Sequence, residues 1–291
     1  MANKLHANTR LGEVKLKVSN LERSITFYED IVGFRLLSRT EGKAQLTADG
    51  KTTLLVLEEV PNATITPRRS SSGLYHFAIL LPTRKDLGLS LRRLMDKGVQ
   101  IGQADHLVSE ALYISDPDLN GIEIYRDRPR EQWEYDAQGF VKMATDPIDW
   151  EGLLAEAKGS QWNGLPDGTV IGHVHFHVAD LHKSKQFYCD AIGFEVEADL
   201  MRQMGALFIG AGRYHHHMGL NIWAGAGAPP VKPNGTGIEY FTIIVPNAVE
   251  LEATILRLKG LGAELEQHEA VWWTTDPNGI GVQLLTASEF I

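Results

Sequence analysis

The sequence is poor in cysteine, with Cys189 alone among 291 residues. One thiol cannot close an intrachain disulfide, so the chain is not a disulfide scaffold and fits a reducing compartment. No apolar run approaches the roughly 18 residues that a membrane span needs, and the N-terminal segment lacks the apolar stretch of a secretory signal. We therefore expect a cytoplasmic protein without a membrane partner.

Positive charge is also scarce. The chain carries 28 Lys and Arg residues against 37 Asp and Glu residues, a formal net charge of -9. A phosphate backbone repels such a chain, so nucleic acid is not expected as a partner. Hydrophobic residues make up 43% of the sequence, as in a globular protein, and the length allows two domains or a duplicated unit.

The chain repeats itself. Residues 12–34 return at 172–194 in the shared frame G-x-V-x-x-x-V-x-x-L-x-x-S-x-x-F-Y-x-D-x-x-G-F. A second pair joins GLYHFAILLP at 73–82 to GIEYFTIIVP at 237–246, and each copy leads to an Asp-Pro and a final apolar strand. Four modules are therefore predicted, near 12–60, 73–127, 171–225 and 237–286.

Each module is predicted to have the element order βαβββ. The opening segments alternate apolar and polar residues with the period of a half-buried strand. Asn20 and Asp180 begin helices that end near Gly33 and Gly193. We expect an α+β protein with a first two-module domain at 1–129, a linker at 130–168 with a short helix near 148–157, and a second two-module domain at 169–291.

Histidines stand on one opening strand. Period 2 places His173, His175 and His177 on a single face of the third module. Buried imidazoles need hydrogen-bond partners or a ligand, so the face indicates either a metal site or a polar cavity wall.

The second module has its own polar pair. His76 lies on its opening strand and Glu123 lies between two isoleucines on its closing strand. A carboxylate inside an apolar strand is costly unless it is paired or binds a metal. The fourth module has Tyr240 and Gln283 at these positions, so the two halves of the chain differ in their candidate ligands.

These residues resemble the vicinal oxygen chelate superfamily of glyoxalases, bleomycin-resistance proteins and extradiol dioxygenases. The segment from His106 through Tyr113 and Asp116-Pro117 to Glu123 is similar to the signature of the extradiol enzymes, in particular the two-domain bacterial catechol 2,3-dioxygenases. The resemblance implies that the modules form two cup-shaped mixed-sheet barrels. Ala104 and Leu119 depart from the pattern at positions that favour other small or turn residues.

The resemblance also implies a mononuclear Fe(II) site, with Mn(II) as the alternative metal. Its third ligand depends on how the modules pair: Glu13 if modules one and two share a cup, His173 if modules two and three do. Two histidines and one carboxylate are the usual set for non-haem Fe(II) oxygenases. We therefore expect His76, Glu123 and His173.

Extradiol enzymes also carry an acid–base histidine on a later strand of the module that donates the first ligand. Here the segment 214–223, YHHHMGLNIW, lies there. Counting alternate residues back from Asn221 favours His217, with His216 second, although a triple histidine is also compatible with an adventitious metal-binding loop. The resemblance places His106 and Tyr113 near bound substrate and oxygen.

The implied activity is extradiol cleavage of an aromatic diol with O2, in aromatic hydrocarbon catabolism, by a possible homo-oligomer. Two alternatives stay open. One is another metal-dependent reaction of the superfamily, such as a glyoxalase-like or glutathione-transfer step, which would consume no O2. The other is a protein that binds an aromatic ligand without turnover, since fold alone does not fix function.

Overall fold

The computed structural model of the protein describes residues 4–290. Module one contains β1 (Arg10–Val18), α1 (Leu21–Phe27), β2 (Arg35–Thr40), β3 (Lys43–Thr47) and β4 (Thr53–Glu59). Module two contains β5 (Gly73–Leu80), α2 (Arg84–Asp96), β6 (Gly102–Asp105), β7 (Ser109–Ser115) and β8 (Gly121–Asp127). The predicted linker holds one 3-10 turn, Arg130–Gln132, and α3 (Trp150–Glu156).

The second half repeats this order. Module three contains β9 (Val170–His177), α4 (Leu181–Lys185), β10 (Glu195–Leu200), α5 (Met201–Met204), β11 (Ala206–Gly210) and β12 (Met218–Asn221). Module four contains β13 (Gly237–Val245), α6 (Ala248–Gly260), β14 (Glu266–His268), β15 (Val271–Thr275) and β16 (Gly281–Thr286). The predicted βαβββ order is confirmed, with α5 as an additional short helix.

The repeated frame encodes the same helix ends in modules one and three. The Asn20 side chain accepts from the Arg23 N–H, and Asp180 accepts from the His182 and Lys183 N–H groups, which caps α1 and α4. Each helix continues into a wider π-type turn that ends at Gly33 or Gly193, whose φ angles of 100° and 110° favour glycine.

The strands form two eight-stranded mixed sheets. One has the order β14-β15-β16-β13-β1-β4-β3-β2 and joins modules four and one; the other has the order β10-β11-β12-β9-β5-β8-β7-β6 and joins modules three and two. At the centre of the second sheet, β5 pairs antiparallel with β9. This is the pairing of modules two and three that favoured His173 over Glu13.

Each sheet thus takes one module from each half of the chain. The α+β class and its four modules in two mixed sheets are as predicted. The division into 1–129, 130–168 and 169–291 describes the order of the modules along the chain, and as a division into folded domains it stays a prediction.

The recurring tyrosine and aspartate of the repeat lie against each other between modules. The Tyr28 hydroxyl donates to Asp116 at 3.0 Å, and the Tyr188 hydroxyl donates to Asp276 at 2.9 Å. All four residues are buried in the helix-covered interior. The helix of one module is therefore tied to the sheet of the next, which explains why both features repeat.

The linker packs onto module two. Arg84, at the start of α2, donates to Glu110 on β7 and also contacts Asp149 and Glu156 at the two ends of α3. The predicted helix near 148–157 is thus confirmed, and Arg92 of α2 also donates to the Ala157 carbonyl at its C-terminal end, at 2.9 Å. No helix in residues 4–290 is long and apolar enough to cross a membrane.

Candidate functional site

The candidate site lies on the face of the second sheet where polar side chains converge. Register places Tyr113 beside Glu123, Glu123 beside Ala78, and Ala78 beside His173, so a single row crosses β7, β8, β5 and β9. Ala78 is small and fully buried, so it leaves room between the carboxylate and the imidazole.

His76 joins this row through an irregularity in β5. The register between β5 and β9 shifts between Leu74 and His76, which is the mark of a β-bulge at Tyr75. The bulge lets Tyr75 and His76 pack on the same group of rings, since both contact His175 at centroid distances of 5.1 and 5.0 Å. Simple alternation along the strand does not give this arrangement.

The structure brings His76, Glu123 and His173 together. The Nε2 atoms of both histidines lie 3.0 Å from Oε2 of Glu123, and the potential ligand atoms are all within 4.8 Å of one another. The three residues are 5%, 2% and 1% exposed. Within residues 4–290 no other set of three His, Cys, Asp or Glu side chains meets this geometry.

These residues fit a divalent metal. His76 Nε2 is buried without a hydrogen-bond partner despite its short distance to Glu123, and such an atom is costly unless a ligand satisfies it. Burial raises the pKa of Glu123, but His173 and His76 outweigh that effect and hold the pKa well below its usual range. Burial also lowers the pKa of His173. The cluster therefore offers an ionised carboxylate and a neutral imidazole, the forms that bind metals.

Tyr113 and His106 form a hydrogen-bonded pair beside the cluster. The Tyr113 hydroxyl lies 2.7 Å from Nε2 of His106, and His106 Nδ1 lies 2.6 Å from the Ala144 carbonyl oxygen. A carbonyl only accepts, so Nδ1 carries the proton and Nε2 of the neutral ring accepts from Tyr113. A residue of the linker thus fixes the tautomer of His106.

The three consecutive histidines have three different environments. His215 Nε2 lies 2.8 Å from Asp127, and its Nδ1 lies 2.8 Å from His216 Nδ1. The His216 ring is 4.2 Å from the ring of His173. The His217 ring instead packs 4.8 Å from Tyr214, and its Nδ1 accepts from the Ala211 N–H at 3.1 Å.

These environments distinguish His216 from His217, the residue that alternation favours. The assigned last strand of module three begins at Met218, although the His217 main chain already bonds to both neighbouring strands. His216 is the residue that contacts a candidate ligand. Burial lowers the pKa of His216 well below its ordinary value and that of His217 to about 3, so both rings are neutral.

His175 and His177 share Asn221 rather than the metal cluster. Asn221 Oδ1 lies 2.6 Å from His177 Nδ1, and its Nδ2 donates to His175 Nε2 at 2.9 Å. The His175 ring lies so close over Gly219 that a Cβ there would come within 2.7 Å of it. Of the three histidines on the β9 face, His173 alone points to Glu123, and the other two form a polar wall.

A cavity of about 800 Å³ adjoins the cluster. Its inner lining includes Tyr75, His76 and Tyr113, and its outer part includes Arg68 and Arg69 from the loop that precedes β5. The volume falls in the range that holds a small organic ligand. The two arginines lie outside the periodic segments of the sequence, which is why sequence reasoning missed them.

The other sheet has different residues at the ligand positions. Glu13 accepts from the Tyr240 hydroxyl at 2.5 Å, and Gln283 accepts from the Thr242 hydroxyl at 2.7 Å. These residues stand where the second sheet has ligand candidates, but they satisfy one another by hydrogen bonds. Because modules one and four form one sheet and modules two and three the other, Glu13 and His76 lie in different sheets.

Comparison with known proteins agrees with this architecture. Residues 10–124 and 170–284 match the family model of the glyoxalase/bleomycin resistance protein/dioxygenase superfamily. The chain is 50% identical over 273 residues to a catechol-2,3-dioxygenase of Bacillus subtilis (strain 168), with 94% of this chain and 95% of that protein aligned. This similarity confirms the expectation of an enzyme related to the catechol 2,3-dioxygenases.

Solved structures support the fold. A putative dioxygenase from Bacillus subtilis subsp. subtilis str. 168 superposes with a TM-score of 0.61 at 11% identity, covering 97% of this chain and 86% of that one. Glyoxalase I from Zea mays superposes with a TM-score of 0.57 at 17% identity, covering 97% and 94%. From the two matched segments and the extensive identity to its curated relative, the chain belongs to the glyoxalase/bleomycin resistance protein/dioxygenase superfamily.

Proposed function

We propose that the protein is an extradiol dioxygenase that inserts O2 into a catechol-type aromatic diol at a mononuclear non-haem Fe(II) site. The observation that carries this proposal is the buried cluster of two histidines and one carboxylate beside a cavity. That ligand set is typical of Fe(II) oxygenases that keep positions open for substrate and O2. The identity to a catechol-2,3-dioxygenase supports the same reaction.

His76, Glu123 and His173 would hold the metal, with Mn(II) as the alternative to iron. Bound there, the metal would act as a Lewis acid toward the two diol oxygens and would activate O2. Glu123 supplies the one negative charge of the set, and Ala78 keeps its neighbourhood free of competing side chains.

His216 is the proposed acid–base residue, in place of His217. Asp127 only accepts, so His215 donates from Nε2, and its Nδ1 then accepts from Nδ1–H of His216. This chain of hydrogen bonds keeps the proton of His216 on Nδ1, so Nε2 is the unprotonated, basic atom of that ring. The ring lies 4.2 Å from that of His173, and we propose that Nε2 of His216 takes a proton from the diol and returns it to the reacting oxygens.

Tyr113 and His106 are proposed to position the substrate. The Tyr113 hydroxyl lies next to Glu123 in the row and is held by a ring whose tautomer Ala144 fixes. Because its one proton goes to His106, the hydroxyl oxygen is left to accept a hydrogen bond from a hydroxyl of the diol and so to orient the ring. The linker thereby contributes to the site without touching the substrate.

The proposed compartment is the cytoplasm. The one cysteine, Cys189, has a thiol pKa that burial raises to about 12, so it is an inert thiol at neutral pH. The proposed reactants are an aromatic diol and O2.

Oxygen uptake tests the proposed reaction. Protein loaded with Fe(II) under anaerobic conditions should consume one O2 per catechol and form a yellow ring-opened hydroxymuconic semialdehyde. His76→Ala should abolish uptake, whereas Tyr240→Phe, at the corresponding position of the other sheet, should retain it. Tightly bound metal without O2 uptake for any catechol offered would contradict the proposal and favour a reaction or binding role without O2.

A further inference from the structure

The cavity beside the candidate metal ligands extends outward to two arginines. Arg68 and Arg69 line the same space as His76 and Tyr113. Both belong to the exposed segment between β4 and β5. A substrate with its two hydroxyls at the cluster would therefore direct its remaining substituents toward these cations.

Arg68 is fixed relative to the site by a contact to β7. Its Nη2 donates to the Ser115 hydroxyl at 2.8 Å. Ser115 lies two residues beyond Tyr113 and hence on the same face of the strand, about 7 Å further along it. A guanidinium has five N–H donors, so this contact leaves most of the group available to a ligand.

Arg69 reaches the cavity from the side of His177. The rings from His76 to Tyr75 and from Tyr75 to His177 follow one another at centroid distances of 4.9 and 5.0 Å. His177 and Arg69 both line the cavity. Arg69 also has a φ of 56°, a left-handed conformation that costs energy in a residue other than glycine.

Neither guanidinium has an acidic partner among residues 4–290. The two aspartates that also line the cavity are already engaged: Asp116 accepts from the Asn120 side chain and the Tyr28 hydroxyl, and Asp118 accepts from Arg23 at 2.5 Å. On a chain with a net charge of -9, two adjacent unneutralised cations at one cavity form a local anion site.

We propose that Arg68 and Arg69 bind a carboxylate substituent of the aromatic diol, so that the preferred substrate is an anionic catechol rather than catechol itself. This inference rests on the proposed function for the placement of the diol. Arginine pairs with carboxylates through parallel N–H donors, and such charge-assisted contacts are stronger than neutral ones. The cavity has room for a ring with a short acidic side chain.

Pairs of a catechol carboxylic acid and its methyl ester test whether the carboxylate charge contributes to binding. Binding of 3,4-dihydroxyphenylacetate and 2,3-dihydroxybenzoate is compared with that of their methyl esters by anaerobic calorimetry on the metal-loaded protein. At least one acid should bind about tenfold more tightly than its ester. Arg68→Gln and Arg69→Gln should each reduce this ratio about threefold, and the double variant should bring it to about one.

The exposed Arg202, on another part of the surface, is the control: Arg202→Gln should leave the ratio unchanged. Equal affinity for acid and ester in the unmodified protein, failure of all four compounds to bind, or a preference that survives the double substitution would overturn the inference.

Oxygen uptake with the same compounds separates this inference from the proposed reaction. Arginine-dependent preference for an acid without O2 consumption would support the anion site and contradict the dioxygenase. O2 consumption with catechol, the acids and the esters at equal kcat/KM would support the dioxygenase and contradict the anion site.

Discussion

Replacement of Gly172 by Ala tests the packing of modules two and three without any measurement of activity. Gly172 lies on β9, and a Cβ there would overlap the hydroxyl of Tyr125 and come within 2.8 Å of its Cζ. Leu80 Cβ would lie 3.0 Å away. Both neighbours belong to module two, so the clash exists only if the two modules share a sheet.

The expected loss of stability comes from the displacement of Tyr125. Tyr125 is fully buried and its hydroxyl is 2.7 Å from that of Tyr214, so its displacement strains the core and breaks a buried hydrogen bond. Overpacking costs about 1–3 kcal/mol and such a bond about 1 kcal/mol. Gly172→Ala should therefore lower the free energy of unfolding by about 2–4 kcal/mol and the melting temperature by roughly 5–12 °C.

Thermal and urea unfolding measure this change. Gly260→Ala is the control because no atom lies within 4 Å of its added Cβ, and it should be neutral or slightly stabilising. In a Tyr125→Phe background the alanine should cost about 1 kcal/mol less, because the hydroxyl that it overlaps is gone. A Gly172→Ala protein within about 0.5 kcal/mol of the unmodified chain would refute the packing described for β5 and β9.

Three further predictions concern the site and the linker. Glu123→Gln keeps the side-chain volume but removes the charge, so anaerobic titration should show a loss of metal affinity of more than about 100-fold; a loss below threefold would contradict its role as a ligand. His216→Gln should lower kcat with a catechol by about 100-fold or more at similar KM, whereas His217→Gln should retain most of kcat; equal losses would reject the choice between them. Arg84→Gln removes the hydrogen-bonded partner of buried Glu110 and leaves it only Arg128 at 3.8 Å, so it should destabilise the protein by about 3 kcal/mol in urea unfolding, and Glu110→Gln in that background should recover part of the loss.

Local pattern was sufficient for much of the fold. The repeated frame predicted four βαβββ modules, and the helix caps at Asn20 and Asp180 lie where the sequence indicated. Alternation also placed His173 on the face that meets Glu123. These features depend on neighbours along the chain, so the sequence alone can reveal them.

The module pairing depends on contacts between distant segments, and local periodicity is the same whichever modules pair. The sequence favoured His173 over Glu13 only through the usual ligand set, and the pairing itself comes from the structure. Alternation does not report the ring contacts that distinguish His216 from His217, because those contacts come from distant segments. It also misses the bulge at Tyr75, which changes the direction in which that side chain points. Arg68 and Arg69 lie in a loop, where the sequence has no periodic pattern that would predict the direction of a side chain.

The most direct test of the proposed site is the position of the metal itself. Crystals grown with Fe(II) under anaerobic conditions and measured at the iron absorption edge should show one anomalous peak per chain, between Nε2 of His76, Nε2 of His173 and the carboxylate of Glu123. A peak beside Glu13 and Tyr240, or no peak at the three residues despite stoichiometric binding in solution, would contradict the account.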